Sequence, residues 1–178
     1  MGVLTSINYS TTRATRGGGI YFRTGDYEVE VNACKDIITQ KNEEMFILET
    51  KVIESTNPLL PEGSRPAWTQ KFQGDAAVMA PQNMKMLWCA LMNLNLFDPK
   101  DAAAIAAIEE KDWKAFASEA ISDGQPLSGV RLHVEAVATF SKKQTAEFPN
   151  GKPFTKHTFT PPKNPTDFQI DLRKKAFE

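Results

Sequence analysis

Tyr27-Glu-Val-Glu-Val-Asn-Ala-Cys-Lys-Asp-Ile-Ile-Thr39, Gln40-Lys-Asn-Glu43 and Glu44-Met-Phe-Ile-Leu-Glu-Thr-Lys-Val-Ile-Glu54 follow one another without a break, and their reading decides the fold. Two long β-type runs flank a short polar turn, which is a hairpin signal. By the two-residue strand period, Tyr27, Val29, Val31 and Ala33 share one face, and Glu28, Glu30 and Asn32 the other. In the second run Phe46, Leu48 and Val52 share a face, while Met45, Ile47 and Ile53 make the opposite face partly apolar. A strand apolar on both faces is central in its sheet or lies in a small curved barrel.

The remaining segments read as closing that sheet. Asn57 to Pro66 is a loop with three prolines, and Ala67 to Gln73 a third strand with Trp68, Gln70 and Phe72 on one side. From Asp75 the period becomes helical, with Ala77, Val78, Met84, Leu87, Trp88, Leu91, Met92 and Leu94 as the apolar set. Pro81 suits a first helical turn, where a missing amide hydrogen costs nothing. Asp98-Pro99 starts a second helix through Ile108, and Asp112 caps a third carrying Trp113, Phe116 and Ile121. Val130 to Phe140 alternates as a fourth strand, Phe154 to Thr160 as a fifth, and Pro161, Pro162 and Pro165 end the sheet. The expected fold is α+β: a mostly β, OB-fold-like five-stranded barrel over 20–162, with helices between strands 3 and 4 as an insert at 75–122. Residues 1–19 are expected to be a flexible basic arm, and 163–178 a mixed-charge tail. The alternative is a generic α+β sandwich with helices at one end. Pairing of the first strand with the fourth would favour the barrel, but strand order alone does not reveal it.

A chain of 178 residues is long enough to bury its own core, and its net charge of −1 announces no polyanion partner through a whole-chain field. Cys34 and Cys89 lack metal-ligand spacing and read as buried thiols in a reducing compartment. No basic region followed by an apolar core opens the sequence, and no apolar run reaches membrane-spanning length, so the expected setting is cytoplasmic, with no membrane partner.

Catalytic groupings are weak. His133 and His157 are the only histidines, each on an alternating strand and neither in a metal motif. Gly17-Gly18-Gly19 lacks the Gly-Lys-Ser/Thr of a phosphate loop. Asp26, Glu28 and Glu30 read as a solvated strand face rather than a metal site. No catalytic residue, metal ligand or cofactor is assigned.

Basic and aromatic residues make the more coherent set. Arg13, Arg16, Tyr21, Phe22 and Arg23 lie near one end, and Lys142, Lys143, Phe148, Lys152, Phe154, Lys156, His157 and Phe159 near the other. Lys35 and Lys41 border the hairpin turn; Arg65, Trp68 and Lys71 surround the third strand. In an OB-fold the first hairpin turn and the loop between strands four and five flank one face, so these basic loops would meet across a groove. Cations there would follow phosphates and aromatic rings would accept bases. Trp68 also has an ordinary core reading by strand parity. Phe154 and Phe159 have opposite parity, with Phe159 taken as outward and Phe148, in a loop, as the favoured ring. Glu28, Glu30, Glu49 and Glu135 count against a uniformly cationic face. From Asp98 to Asp123 acids outnumber bases by seven to three, so a polyanion site lies elsewhere.

Gly25-Asp-Tyr-Glu-Val-Glu-Val, the long hairpin, the helical insert, Gly129-Val-Arg-Leu-His-Val and Gly151-Lys-Pro-Phe-Thr-Lys-His-Thr-Phe-Thr-Pro161 together resemble bacteriophage OB-fold single-stranded DNA-binding proteins over roughly residues 20–162. The resemblance is one of layout. It implies sequence-independent, non-catalytic binding of DNA strands exposed in replication, recombination or repair, with replication or recombination proteins and other copies of the chain as further partners. Members with an acidic tail ending in an aromatic residue recruit partner enzymes through it; Asp171-Leu-Arg-Lys-Lys-Ala-Phe177-Glu178 keeps the Phe but carries too many bases. A second expectation is a virion structural or assembly subunit, whose hairpin and arm would extend a neighbour's sheet. A small-molecule enzyme ranks last.

Overall fold

The computed structural model describes residues 20–178. Five strands form one antiparallel sheet: β1 (Gly25–Ile38), β2 (Glu44–Ser55), β3 (Ala67–Lys71), β4 (Arg131–Phe140) and β5 (Pro153–Thr160), in the order β3-β2-β1-β4-β5. Four helices accompany them: α1 (Ala80–Leu91), α2 (Ala102–Ala107), α3 (Glu110–Ala120) and α4 (Asp167–Ala176). The architecture is α+β. Among the described residues no helix is long and apolar enough to cross a membrane.

The hairpin forms where its pattern predicts. Asn42 adopts φ 59° in the turn, and the Thr39 amide donates to the Glu43 carbonyl at 2.8 Å. One detail differs. Val31 pairs with Thr50 but Ala33 with Glu49, so Asn32 is an unpaired extra residue, and Ile53 is its counterpart in β2. Such bulges bend a strand and increase its twist. The bulge also switches parity: Tyr27, Val29 and Val31 are buried, and burial then passes to Cys34 and Asp36 rather than to Ala33.

β1 pairs with β4 from Gly25–Ala136 to Glu30–Arg131, the pairing that strand order leaves open. Beyond it the Gln125 side chain takes over, accepting from the Cys34 amide at 2.7 Å and donating to the Cys34 carbonyl at 2.9 Å. The ladder ends at β3 and β5. No strand pairing joins those two among the described residues, so the sheet stays open and does not close into a barrel. The sheet is nevertheless curled: Trp68 of β3 meets Phe159 of β5 edge-to-face, ring centres 4.9 Å apart. The core fills the concave side with Tyr27, Phe46, Leu48, Leu132 and Phe159, closed by Leu87, Trp88 and Leu91 of α1. Burying one such side chain is worth roughly 1.5–3 kcal/mol.

Local signals decide the helix ends only partly. Pro81 sits in the first turn of α1 as expected. The Asp98-Pro99 segment remains a turn, and α2 begins at Ala102. For α3 the cap is Glu109, while Asp112 lies at the third helical position and accepts from the Glu109 amide, completing a capping box. Cys34 and Cys89 are free, buried thiols, as their apolar settings suggest.

The C-terminal segment, unassigned to any element by its composition, forms α4. Gln169 is fully buried and anchors it: Nε2 donates to the Arg131 and Leu91 carbonyls at 2.7 and 3.2 Å, and Oε1 accepts from the Arg131 amide at 3.2 Å. Arg173 adds a bidentate pair to buried Asp101 at 2.7 and 2.8 Å, which holds the Asp101 carboxyl below its ordinary range. A buried polar group left without a partner costs about 1–3 kcal/mol. Gln169→Leu is therefore expected to lower unfolding free energy by about 2–4 kcal/mol, read from the urea midpoint; a change below about 0.5 kcal/mol would show that α4 is not anchored through this residue.

Candidate nucleic-acid interface

Because the sheet curls without closing, the gap between the edges of β3 and β5 becomes a cleft of about 990 Å³. Trp68, Thr69 and Gln70 line one side and Phe154 to Thr158 the other; the end of β4 with Ser141 and Lys142, one side of α1, and Leu96–Phe97 complete it. The N-terminal segment enters at one end, where the Ala67 amide donates to the Ile20 carbonyl at 2.8 Å and Tyr21 bridges Ala67.

Four large rings stand open at this cleft: Tyr21 58 % exposed, Phe97 59 %, Phe140 62 % and Phe154 48 %. Lys142 and Lys156 line it with exposed side chains, and among the described residues no Asp or Glu lines it. His157 also lines it but adds no charge near neutral pH, because burial pushes its imidazole down to about 4. Its ring packs against Phe22 and Phe159, and its Nε2 is buried without a hydrogen-bond partner among the described residues. The Asn83 side-chain amide donates to the Gln70 side-chain oxygen across the wall at 2.9 Å. The cleft can therefore offer ring faces and cations to a ligand, with no fixed anion to repel phosphate.

The expected contact set divides. Tyr21, Lys142 and Lys156 line the cleft. Trp68 reaches its wall but is only 6 % exposed, packed edge-on to Phe46 and Phe159, so its core reading holds and it offers no open stacking face. Phe159 is likewise corrected from outward to inward: it is buried, and Phe154 takes the exposed side. The two have opposite parity, as read, but Phe159 pairs with inward-facing Val134. Lys35 is held by Glu49 at 2.8 Å, and Lys71 by Glu43 at 3.3 Å. Lys41 is exposed at the hairpin turn but lies outside the cleft; its neighbour Asn42 lines a separate cavity. The hairpin turn therefore does not supply a second basic wall. Arg23, Arg65, Lys143 and Lys152 are exposed and Phe148 half-buried, all outside the cleft lining. Arg13 and Arg16 lie outside the described residues. Of the carboxylates weighed against the site, none lines the cleft: His133 lies between Glu28 and Asp26, at 2.8 and 3.3 Å.

Phe97 and Phe140 are the two of the four exposed cleft rings that the sequence reading leaves out of the contact set. Phe140 carries the inward parity of Val130 to Ala138, yet β4 runs beyond the core and leaves it exposed. Phe97 sits in a turn where no period applies. No protein-family model matches this chain, and no curated protein matches it in sequence.

The same hairpin carries a second polar feature. Asp36 is buried in β1 near Glu44 of β2; burial first, and the Glu44 carboxylate next, push its carboxyl up to about 8. One proton shared between the two acids relieves their repulsion. In the unfolded chain Asp36 loses its proton near pH 4, whereas the folded chain keeps it to about 8. The folded state thus holds more protons across that window, and stability falls as pH rises through it. Asp36→Asn is expected to flatten the dependence of the urea midpoint between pH 5 and pH 8.5 and to stabilise the protein at the upper end by at least about 1 kcal/mol. An unchanged slope in the variant would mean the proton is not held there.

Proposed function

We propose that the chain binds single-stranded DNA without sequence preference, as a non-catalytic protein serving strands exposed in replication, recombination or repair. The observation that carries this reading is the cleft between β3 and β5, which gathers four exposed rings and two lysines with no carboxylate in its lining. Lys142 and Lys156 would follow the phosphates, while Tyr21, Phe97, Phe140 and Phe154 accept bases on their faces. Stacking contributes about 1–3 kcal/mol per base and is sequence-tolerant, since every base has a π-face. In this reading the sheet is an OB-like barrel left open at one seam. The β1–β4 pairing, the order β3-β2-β1-β4-β5 and the helical insert after β3 support it, because the OB-fold is a five-stranded, partly open Greek-key barrel.

The test is titration of a fluorescent oligothymidine at two salt concentrations. Wild-type protein is expected to bind at low salt and to weaken as salt rises. Phe140→Ala with Phe154→Ala is expected to reduce affinity by at least about 30-fold if both rings stack, the effect of about 1 kcal/mol or more lost at each. Lys142→Ala with Lys156→Ala is expected to lower the slope of log K against log salt by about 1.4, at roughly 0.7 per phosphate. Absence of low-salt binding would end the proposal, as would full affinity in the aromatic double variant. An oligouridine arm assigns the sugar preference.

The unpaired edge of β5 favours a second reading, a virion structural or assembly subunit that adds a neighbour's strand to this sheet. Light scattering after size exclusion separates the two: a ring or tube of many copies, without oligonucleotide affinity, is expected only for the assembly subunit.

A further inference from the structure

On the other side of α1 lies a second cavity of about 890 Å³, between the β1–β2 turn, α1 and α3. It shares no lining residue with the first cleft. Its volume falls within the roughly 300–1,000 Å³ usual for small-molecule sites. Phe72, Trp88 and Trp113 give it aromatic walls. Glu44 lines it as well; its buried Oε1 and the buried Oδ1 of Asp36, which lies outside the lining, have no hydrogen-bond partner among the described residues beyond the proton the two acids share.

A single proton between these acids leaves one negative charge, and no cationic side chain pairs with either acid among the described residues. Of the two lysines at the cavity, Lys114 is engaged by Glu110 at 2.7 Å and Lys85 is exposed to solvent. The pair therefore places a negative charge without a cationic partner at the wall of a cavity that Phe72, Trp88 and Trp113 also line. A desolvated anion beside aromatic faces is the arrangement that recognises organic cations: the carboxylate accepts charge-assisted hydrogen bonds, and the ring quadrupoles attract the same positive charge. A neutral apolar ligand would leave that charge without a counter-ion, and an anion would meet Glu44 directly.

We propose that this cavity binds a small organic cation, an ammonium or guanidinium group on an apolar or aromatic body, with Glu44 as its counter-ion. The inference is independent of the DNA reading, because the two cavities are lined by different residues.

The probe is 2-phenylethylamine, with 2-phenylethanol as the uncharged control, followed by indole N–H chemical shifts of the full chain. The amine is expected to produce saturable shifts at Trp88 and Trp113 and to bind at least about tenfold more tightly than the alcohol. Glu44→Gln is expected to erase that difference while leaving weak binding of both. Trp113→Ala, in a half-exposed wall position, is expected to weaken both probes, and it keeps the test decisive if the Gln variant does not fold. Equal binding of amine and alcohol by the wild type overturns the proposal. So does the absence of saturable shifts, or full binding by Trp113→Ala.

Discussion

The edge-to-face contact between Trp68 and Phe159 is the interaction on which the rest of the structure depends. These rings belong to the two outermost strands of the sheet, and in a flat five-stranded sheet they would stand about four strand spacings, roughly 19 Å, apart. Their contact requires strong coiling. The unpaired residues Asn32 and Ile53 supply it by bending the central hairpin. Coiling turns the concave face into a closed apolar core, with α1 packed over β4 and β5. It also brings two strand edges near one another without joining them, which creates the cleft. Core and cleft thus have the same geometric origin.

Charge is sorted by the same geometry. Lysines and acids alternate along the hairpin, and pairs such as Lys35–Glu49 and Lys71–Glu43 neutralise each other. Ion pairs that stay in contact with solvent contribute little stability, but they remove charge from the surface they occupy. Lys142 and Lys156 escape this because the β4–β5 loop and β5 present no acid to the cleft. A chain of nearly zero net charge can in this way hold a local cationic, aromatic surface. On the other side of α1 both signs are present: Glu44, Lys85, Glu110 and Lys114 line a cavity with Trp88 and Trp113, and buried Asp36 lies near Glu44.

The C-terminal helix shows how a polar side chain can fix a fold element. Gln169 serves both the carbonyl and the amide of Arg131, at the start of β4, and reaches Leu91 at the end of α1. One amide side chain therefore ties three elements, and the Arg173–Asp101 pair holds the far end. Neither contact has a sequence signature. A glutamine flanked by Phe168 and Ile170 carries no sign that it is the buried member of its turn.

Much of the fold was legible because it rests on local periods. The hairpin, the other three strands and α1 follow from alternation, from turn residues and from Pro81, all of which act over a few neighbouring residues. Parity likewise set Trp68 and Gln70 on one buried face and put Phe154 opposite Phe159. What the sequence determined by itself was thus the order and type of most elements. Which face of β5 turns inward, which lysines lose their charge to a partner and which rings remain exposed were decided by tertiary structure alone. The reason is that curl, register and β1–β4 pairing link residues about a hundred positions apart, such as Glu28 with His133. No short-range pattern encodes where a strand outruns the core, so Phe140 became a cleft residue only once β4 was placed in its sheet.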